Sequence, residues 1–205
     1  RDLVRSRGLG DVYKRQMVYI RGWIQMKKIK YLQDRNPGVP GIIYKLEPEN
    51  EKHRKLQKIR GLWTAVIEMS DIYDIYSGSH IEQNEYEIDH FVPWSFVTND
   101  EMWNLIPVNP SLNASKRDKL PNWDRYFLSF AQNQFRLNQM VYKYERLAHI
   151  FRECQRDSLN AAWSVEELYV KNIKNDQFCK VLESRLKPIY ELARTQGYRI
   201  WMVGE

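Results

Sequence analysis

The chain has 205 residues, 43% of them hydrophobic and 13% aromatic, with seven Trp; this is enough apolar material for a buried core and excludes wholesale disorder. No apolar run approaches the roughly 18 residues of a membrane span, and no signal peptide is visible, so a cytoplasmic protein with no membrane partner is expected. Two cysteines, Cys154 and Cys179, exclude a disulfide scaffold and a paired CxxC zinc knuckle.

The formal charge of +6 is unevenly spread. Residues 61–105 hold no Lys or Arg and nine Asp or Glu, a net −9, whereas residues 17–60 and 106–205 carry +7 and +5. An acidic centre between basic flanks suits a cation site framed by phosphate-binding surfaces, and equally a set of solvated helix faces.

In chain order, residues 6–16 read SRGLGDVYKRQ, which resembles the translation of a transposase adapter used in sequencing libraries. Residues 1–16 are therefore set aside as a non-native tail, which leaves open a missing region upstream of Met17. Residues 17–42 read as a basic N-terminal segment ending in the breaker string NPGVPG, a linker. Over residues 49–72 the apolar positions Leu56, Ile59, Trp63, Val66, Ile67 and Met69 recur at helical spacing and predict an amphipathic helix of about six turns. The string YSGS at 76–79 is a turn.

Residues 86–90, YEIDH, alternate as a strand; residues 91–97 read as a loop with extended pieces; residues 102–108 read as a second strand. Asn109 and Pro110 then predict the cap and first turn of a helix over residues 111–119. Beyond Pro121 the chain reads as helical. One apolar stripe runs from Tyr126 to Ile150, a second helix starts at Ser164 with Glu167 completing a capping box, and a third spans residues 176–194, bent or broken at Pro188. The expected fold class is α+β, a small strand–strand–helix unit (residues 43–121 with its leading helix) among mostly α-helical flanks, with residues 122–205 a C-terminal helical region.

The strand–strand–helix stretch carries Asp89-His90 at the end of the first strand, Asn104 fourteen residues after His90 and Asn113 nine residues further. An Asp-His pair with two Asn at fixed offsets arises by chance on the order of once in a thousand such chains. The text YEIDHFVPWSF…NDEMWNLIPVNPSLNASKRDKLP resembles the HNH, or ββα-metal, endonucleases, with the spacing of the HNH domain in the CRISPR-associated RNA-guided nuclease. The likeness covers residues 73–121; the helical flanks resemble stand-alone bacterial HNH proteins only loosely.

The resemblance implies a metal-dependent nuclease whose substrate is DNA, with RNA left open. It implies that His90 is the general base, that Asp89 and Asn113 are metal ligands, and that Asn104 is a support for the loop holding His90. His90 suits its role because a neutral imidazole titrates near working pH. Two oxygen ligands suit Mg²⁺ or Mn²⁺. In a regular strand Asp89 and His90 point to opposite faces, so a local irregularity is expected to turn one of them. Lys116, Arg117 and Lys119 are the expected phosphate contacts, while Trp94 and Trp103 are expected to pack the unit rather than stack on bases. The rival reading is a catalytically inactive or truncated HNH-fold nucleic-acid-binding module. A zinc hydrolase is disfavoured, because no His or Cys cluster exists.

Overall fold

A computed structural model describes residues 2–35, 42–46, 56–156, 158 and 161–204. The chain forms two compact units, residues 1–52 and 53–205. The first unit consists of α1 (Asp2–Arg35) and α2 (Ile42–Lys45), tied by Gln25, whose side-chain amide donates to the Leu46 carbonyl at 3.3 Å. The sequence sets residues 1–16 apart, yet α1 runs through them without interruption, its side chains at 12–16 exposed. The expected linker at 36–41 lies outside the described residues.

In the second unit, α3 (Leu56–Ile67) buries Ile59, Trp63, Val66 and Ile67 of the three- and four-residue stripe that predicts it, and Leu62 besides. The helix ends five residues earlier than expected, and residues 49–55 lie outside the described set. After a turn braced by an isolated Tyr73–His80 bridge, β1 (Glu87–His90) pairs antiparallel with β2 (Leu105–Val108), Asp89 opposite Ile106 and His90 opposite Leu105. Between them the structure departs from expectation twice. Residues 94–97 form a helical turn, α4 (Trp94–Val97), which Pro93 can open because its φ of −52° is already near-helical. Residues expected at the start of the second strand form a 3₁₀ turn (Met102–Asn104), so Asn104 sits just before β2. Trp103 is buried and meets Trp163 edge-on at 5.7 Å, a packing residue as expected.

Helix α5 (Pro110–Lys116) starts as predicted: the Asn109 side chain accepts from the Ser111 N–H at 2.9 Å, and Pro110 fills the first position, where its missing donor costs nothing. It stops at Arg117, whose φ of +50° breaks the helical path.

The C-terminal flank is helical, but less simply than the pattern suggests. The long stripe is split at the extended residue Tyr144 into α6 (Trp123–Lys143) and α7 (Glu145–Gln155). No capping box forms at Ser164, which lies inside the helical run of α8 (Ala161–Trp163) and a π turn (Ser164–Leu168); its hydroxyl donates to Gln155 Oε1, and Glu167 accepts from Trp163 Nε1 instead. Helix α9 (Asn175–Thr195) runs unbroken through Pro188. Ser184 and Pro188 are both exposed, so water can take the carbonyl that the proline leaves unpaired, while buried Leu182, Leu186 and Tyr190 hold the helix in place. Two strands too short for any periodicity, β3 (Leu120–Pro121) and β4 (Ile200–Trp201), pair in parallel and bring the end of the chain back to the end of α5. The fold is α+β, a strand–strand–helix unit among mostly helical flanks, and no helix among the described residues is long and apolar enough to cross a membrane.

Candidate active site

Strand β1 organises the site because successive side chains leave it on opposite faces. Glu87 and Asp89 face α5, and His90 faces away. The strand is regular through His90, so the expected irregularity is absent: the two side chains of the Asp-His pair are separated by the pleat itself.

On the α5 face the spacing of strand and helix match. Residues i and i+2 of β1 meet residues i and i+3 of α5: Asn113 Nδ2 donates to Glu87 Oε2 at 2.7 Å, and Lys116 Nζ donates to Asp89 Oδ1 at 2.9 Å. Asp89 is 5% exposed and Lys116 is fully buried. The second Asp89 oxygen accepts from the Tyr76 hydroxyl at 2.7 Å, and Lys116 also donates to the His90 carbonyl at 2.8 Å. Burial, together with the Asp89 charge beside it, holds the Tyr76 phenol well above its ordinary pKa of 10.0, so it stays a donor. Asn113 Oδ1 has no hydrogen-bond partner among the described residues.

This geometry corrects one expectation. Lys116 is not a surface phosphate contact: its ammonium is inside, paired with Asp89, because a cation this deeply buried needs a carboxylate partner. Arg117 is exposed and Lys119 half-buried, both just past the end of α5.

On the other face, His90 Nε2 lies 2.9 Å from Asp100 Oδ1, with both side chains largely buried. Such a carboxylate fixes the ring and favours the proton on Nε2, which leaves Nδ1 as the basic nitrogen. The loop after His90 is clamped by Asn104, which is fully buried. Its Oδ1 accepts from the Val92 N–H at 2.8 Å, its Nδ2 donates to the Val92 carbonyl at 2.9 Å, and its own carbonyl accepts from the Phe91 N–H at 2.8 Å.

Four residues of this arrangement are missing from the sequence reading. Glu87 was open to discovery, since period two puts it on the face of Asp89. Asp74 sits in a turn-forming context; its carboxylate accepts from the Tyr76 and Ser77 N–H groups and from the Asn109 N–H, joining the turn to the cap of α5. Tyr76 and Asp100 carry no local signal, because only the tertiary fold brings them to Asp89 and His90.

The flanks complete the site. The Tyr76 ring packs edge-on against Tyr126 of α6 (5.1 Å) and Trp201 of β4 (4.9 Å), and Trp201 Nε1 donates to Ser115 Oγ at 3.2 Å. Gln134 of α6 donates to the Leu105 carbonyl at 2.8 Å, and Phe130 lies 4.5 Å from Phe91.

Among the described residues no group of three or more His, Cys, Asp or Glu side chains is arranged to hold a metal. On the α5 face Glu87, Asp89 and Asn113 carry oxygen donors, the kind that hard divalent ions favour.

A strand–strand–helix hairpin carrying an Asp-His pair, with an Asn on the following helix, defines a class of small nuclease centres. Residues 74–122, 49 of the chain's 205, match the model of the HNH endonuclease family, and this segment is an HNH-family domain, which points to nuclease chemistry on a nucleic acid. The chain matches no curated protein and no solved structure.

Proposed function

We propose that this protein is a metal-dependent HNH endonuclease that hydrolyses DNA phosphodiester bonds, with His90 as general base and Asp89 and Asn113 as ligands to one Mg²⁺ or Mn²⁺. The observation that carries this reading is the pleat of β1, which puts Glu87 and Asp89 on the α5 face, against Asn113 and Lys116, and His90 beside Asp100 on the other. Hydrolysis needs separate groups to handle the attacking water and the phosphate charge, and this arrangement supplies both.

In this reading Asp100 orients His90, whose Nδ1 takes a proton from the attacking water. The water oxygen bonds to phosphorus, the bond from phosphorus to the 3′ oxygen breaks, and the departing oxygen takes a proton from solvent water, leaving a 5′-phosphate and a 3′-hydroxyl. Asp89 and Asn113, with Glu87 beside them, would hold a divalent ion, which would supply charge relief to the phosphate and the leaving oxygen. Asn104 keeps the Phe91–Val92 backbone, and so the end of β1, in place. Arg117 and Lys119 offer cationic contacts to neighbouring phosphates.

The test is incubation of the protein with supercoiled plasmid and with RNA, in Mg²⁺ and in EDTA. Cleavage of plasmid that EDTA abolishes supports the reading, and its persistence in EDTA refutes the metal dependence. DNA retention without cleavage in any divalent metal points instead to an inactive nucleic-acid-binding module.

A further inference from the structure

The carboxylate assigned to the metal already holds a cation. Lys116 Nζ sits 2.9 Å from Asp89 Oδ1, with both side chains almost wholly removed from water. Its other partner is the neutral His90 carbonyl, so Asp89 is the counter-charge that makes burial of the ammonium tolerable. Oδ2 is committed to the Tyr76 hydroxyl, which donates to it at 2.7 Å. A divalent ion approaching Asp89 therefore meets Lys116 at Oδ1.

We propose that Lys116 is the resident counter-ion of this face and must leave Asp89 for a divalent metal to bind, so that metal loading is coupled to arrival of a substrate phosphate. The inference rests on the metal-nuclease reading and deepens it. Counting formal charges, Glu87, Asp89 and Lys116 sum to −1. A divalent ion brings the face to +1, with two cations competing for one buried carboxylate. A phosphodiester supplies one negative charge and returns the sum to zero. The metal therefore binds weakly to the free protein and tightly with DNA present, and by reciprocity the metal tightens DNA to the same degree. The local structure allows the movement: Lys116 is the last residue of α5, and Arg117 after it already leaves the helical path at a φ of +50°. A lysine at a helix end can swing its long stem outward without unwinding the helix that carries Asn113.

The experiment is calorimetric titration of Mn²⁺ into the protein without DNA, comparing wild type with Lys116→Met, which keeps the length of the stem and removes the charge. The variant is expected to bind Mn²⁺ at least roughly tenfold more tightly. Equal affinities, or no binding to either protein, overturn this inference and leave the metal-nuclease reading to the plasmid cleavage test. A second measurement uses wild type alone and is unaffected if the variant fails to fold. Lys116 should resist acetylation in metal-free protein and become reactive with saturating Mn²⁺, read by mass spectrometry of the peptide containing it. Equal protection with and without Mn²⁺ also overturns the inference.

Discussion

Replacing Asn104 by alanine should cost far more stability than its size suggests. The side chain is fully buried and spends both ends on one peptide unit, accepting from the Val92 N–H at 2.8 Å and donating to the Val92 carbonyl at 2.9 Å. Alanine removes both partners and leaves a buried donor and a buried acceptor without water to replace them. Each orphaned group costs about 1–3 kcal/mol, so the pair should cost about 2–5 kcal/mol after partial relaxation. That is a large part of the roughly 5–15 kcal/mol that stabilises a domain of this size. Asn104→Asp should fall nearly as far, because it keeps the acceptor for Val92 N–H but turns a carboxylate oxygen towards the Val92 carbonyl. The assay is urea unfolding with the slope held in common, with Asn109→Ala as the comparison. Asn109 caps an exposed helix end through Ser111, so its loss should cost only about 1 kcal/mol. A cost below about 1 kcal/mol for Asn104→Ala would refute the view that this side chain clamps the loop beside His90.

His90→Ala should lower DNA cleavage at least about a hundredfold while Mn²⁺ and DNA still bind; retained cleavage sinks the general-base role, and lost metal binding makes His90 a ligand. Across a metal series, wild type should cut with Mg²⁺ and Mn²⁺ and poorly with Zn²⁺, Asn113→Ala should weaken metal binding, and Asn113→His should shift preference to softer metals; best activity with Zn²⁺ would mean the ligands are misassigned. Stability should fall on the alkaline side. Burial holds the Tyr76 and Tyr169 phenols well above the 10.0 they have in the unfolded chain, so folding favours their protonated forms. That contribution is complete below pH 10 and is lost as the pH rises beyond it, and Tyr76→Phe should flatten the decline in denaturation measured from pH 9 upward.

The hairpin and helix that carry the candidate site were legible in the sequence because they are local. Asp89, His90, Asn104 and Asn113 lie on one short hairpin and the helix after it, and Asn109-Pro110 announces that helix through capping. Contacts that the local pattern does not announce decide most of the misreadings. Lys116 looks like a solvated helix end until α5 docks on β1 and delivers its ammonium to Asp89. Residues 102–104 read as the start of a strand, but they form a 3₁₀ turn in which Asn104 bonds to Val92. The capping-box pattern at Ser164 and Glu167 gave way to contacts with Gln155 and Trp163, and β3 and β4 are two residues each, below the length at which alternation has meaning.

The tether between Trp201 and the site also sets an order of events as the chain folds. The contacts that define the chemistry span short loops: Tyr76 to Asp89 is 13 residues and Asp89 to Lys116 is 27. Those that lock it span long ones, 86 residues from Ser115 to Trp201 and 77 from Tyr126 to Val203. Closing long loops costs more entropy and comes later. The hairpin and α5 are therefore expected to gain amide protection first in pulsed hydrogen exchange, followed by β3 and β4. A newly made chain would thus pass through a stage in which Tyr76, Asp89 and Lys116 are assembled but unbraced, so that the complete site forms as the final step of folding.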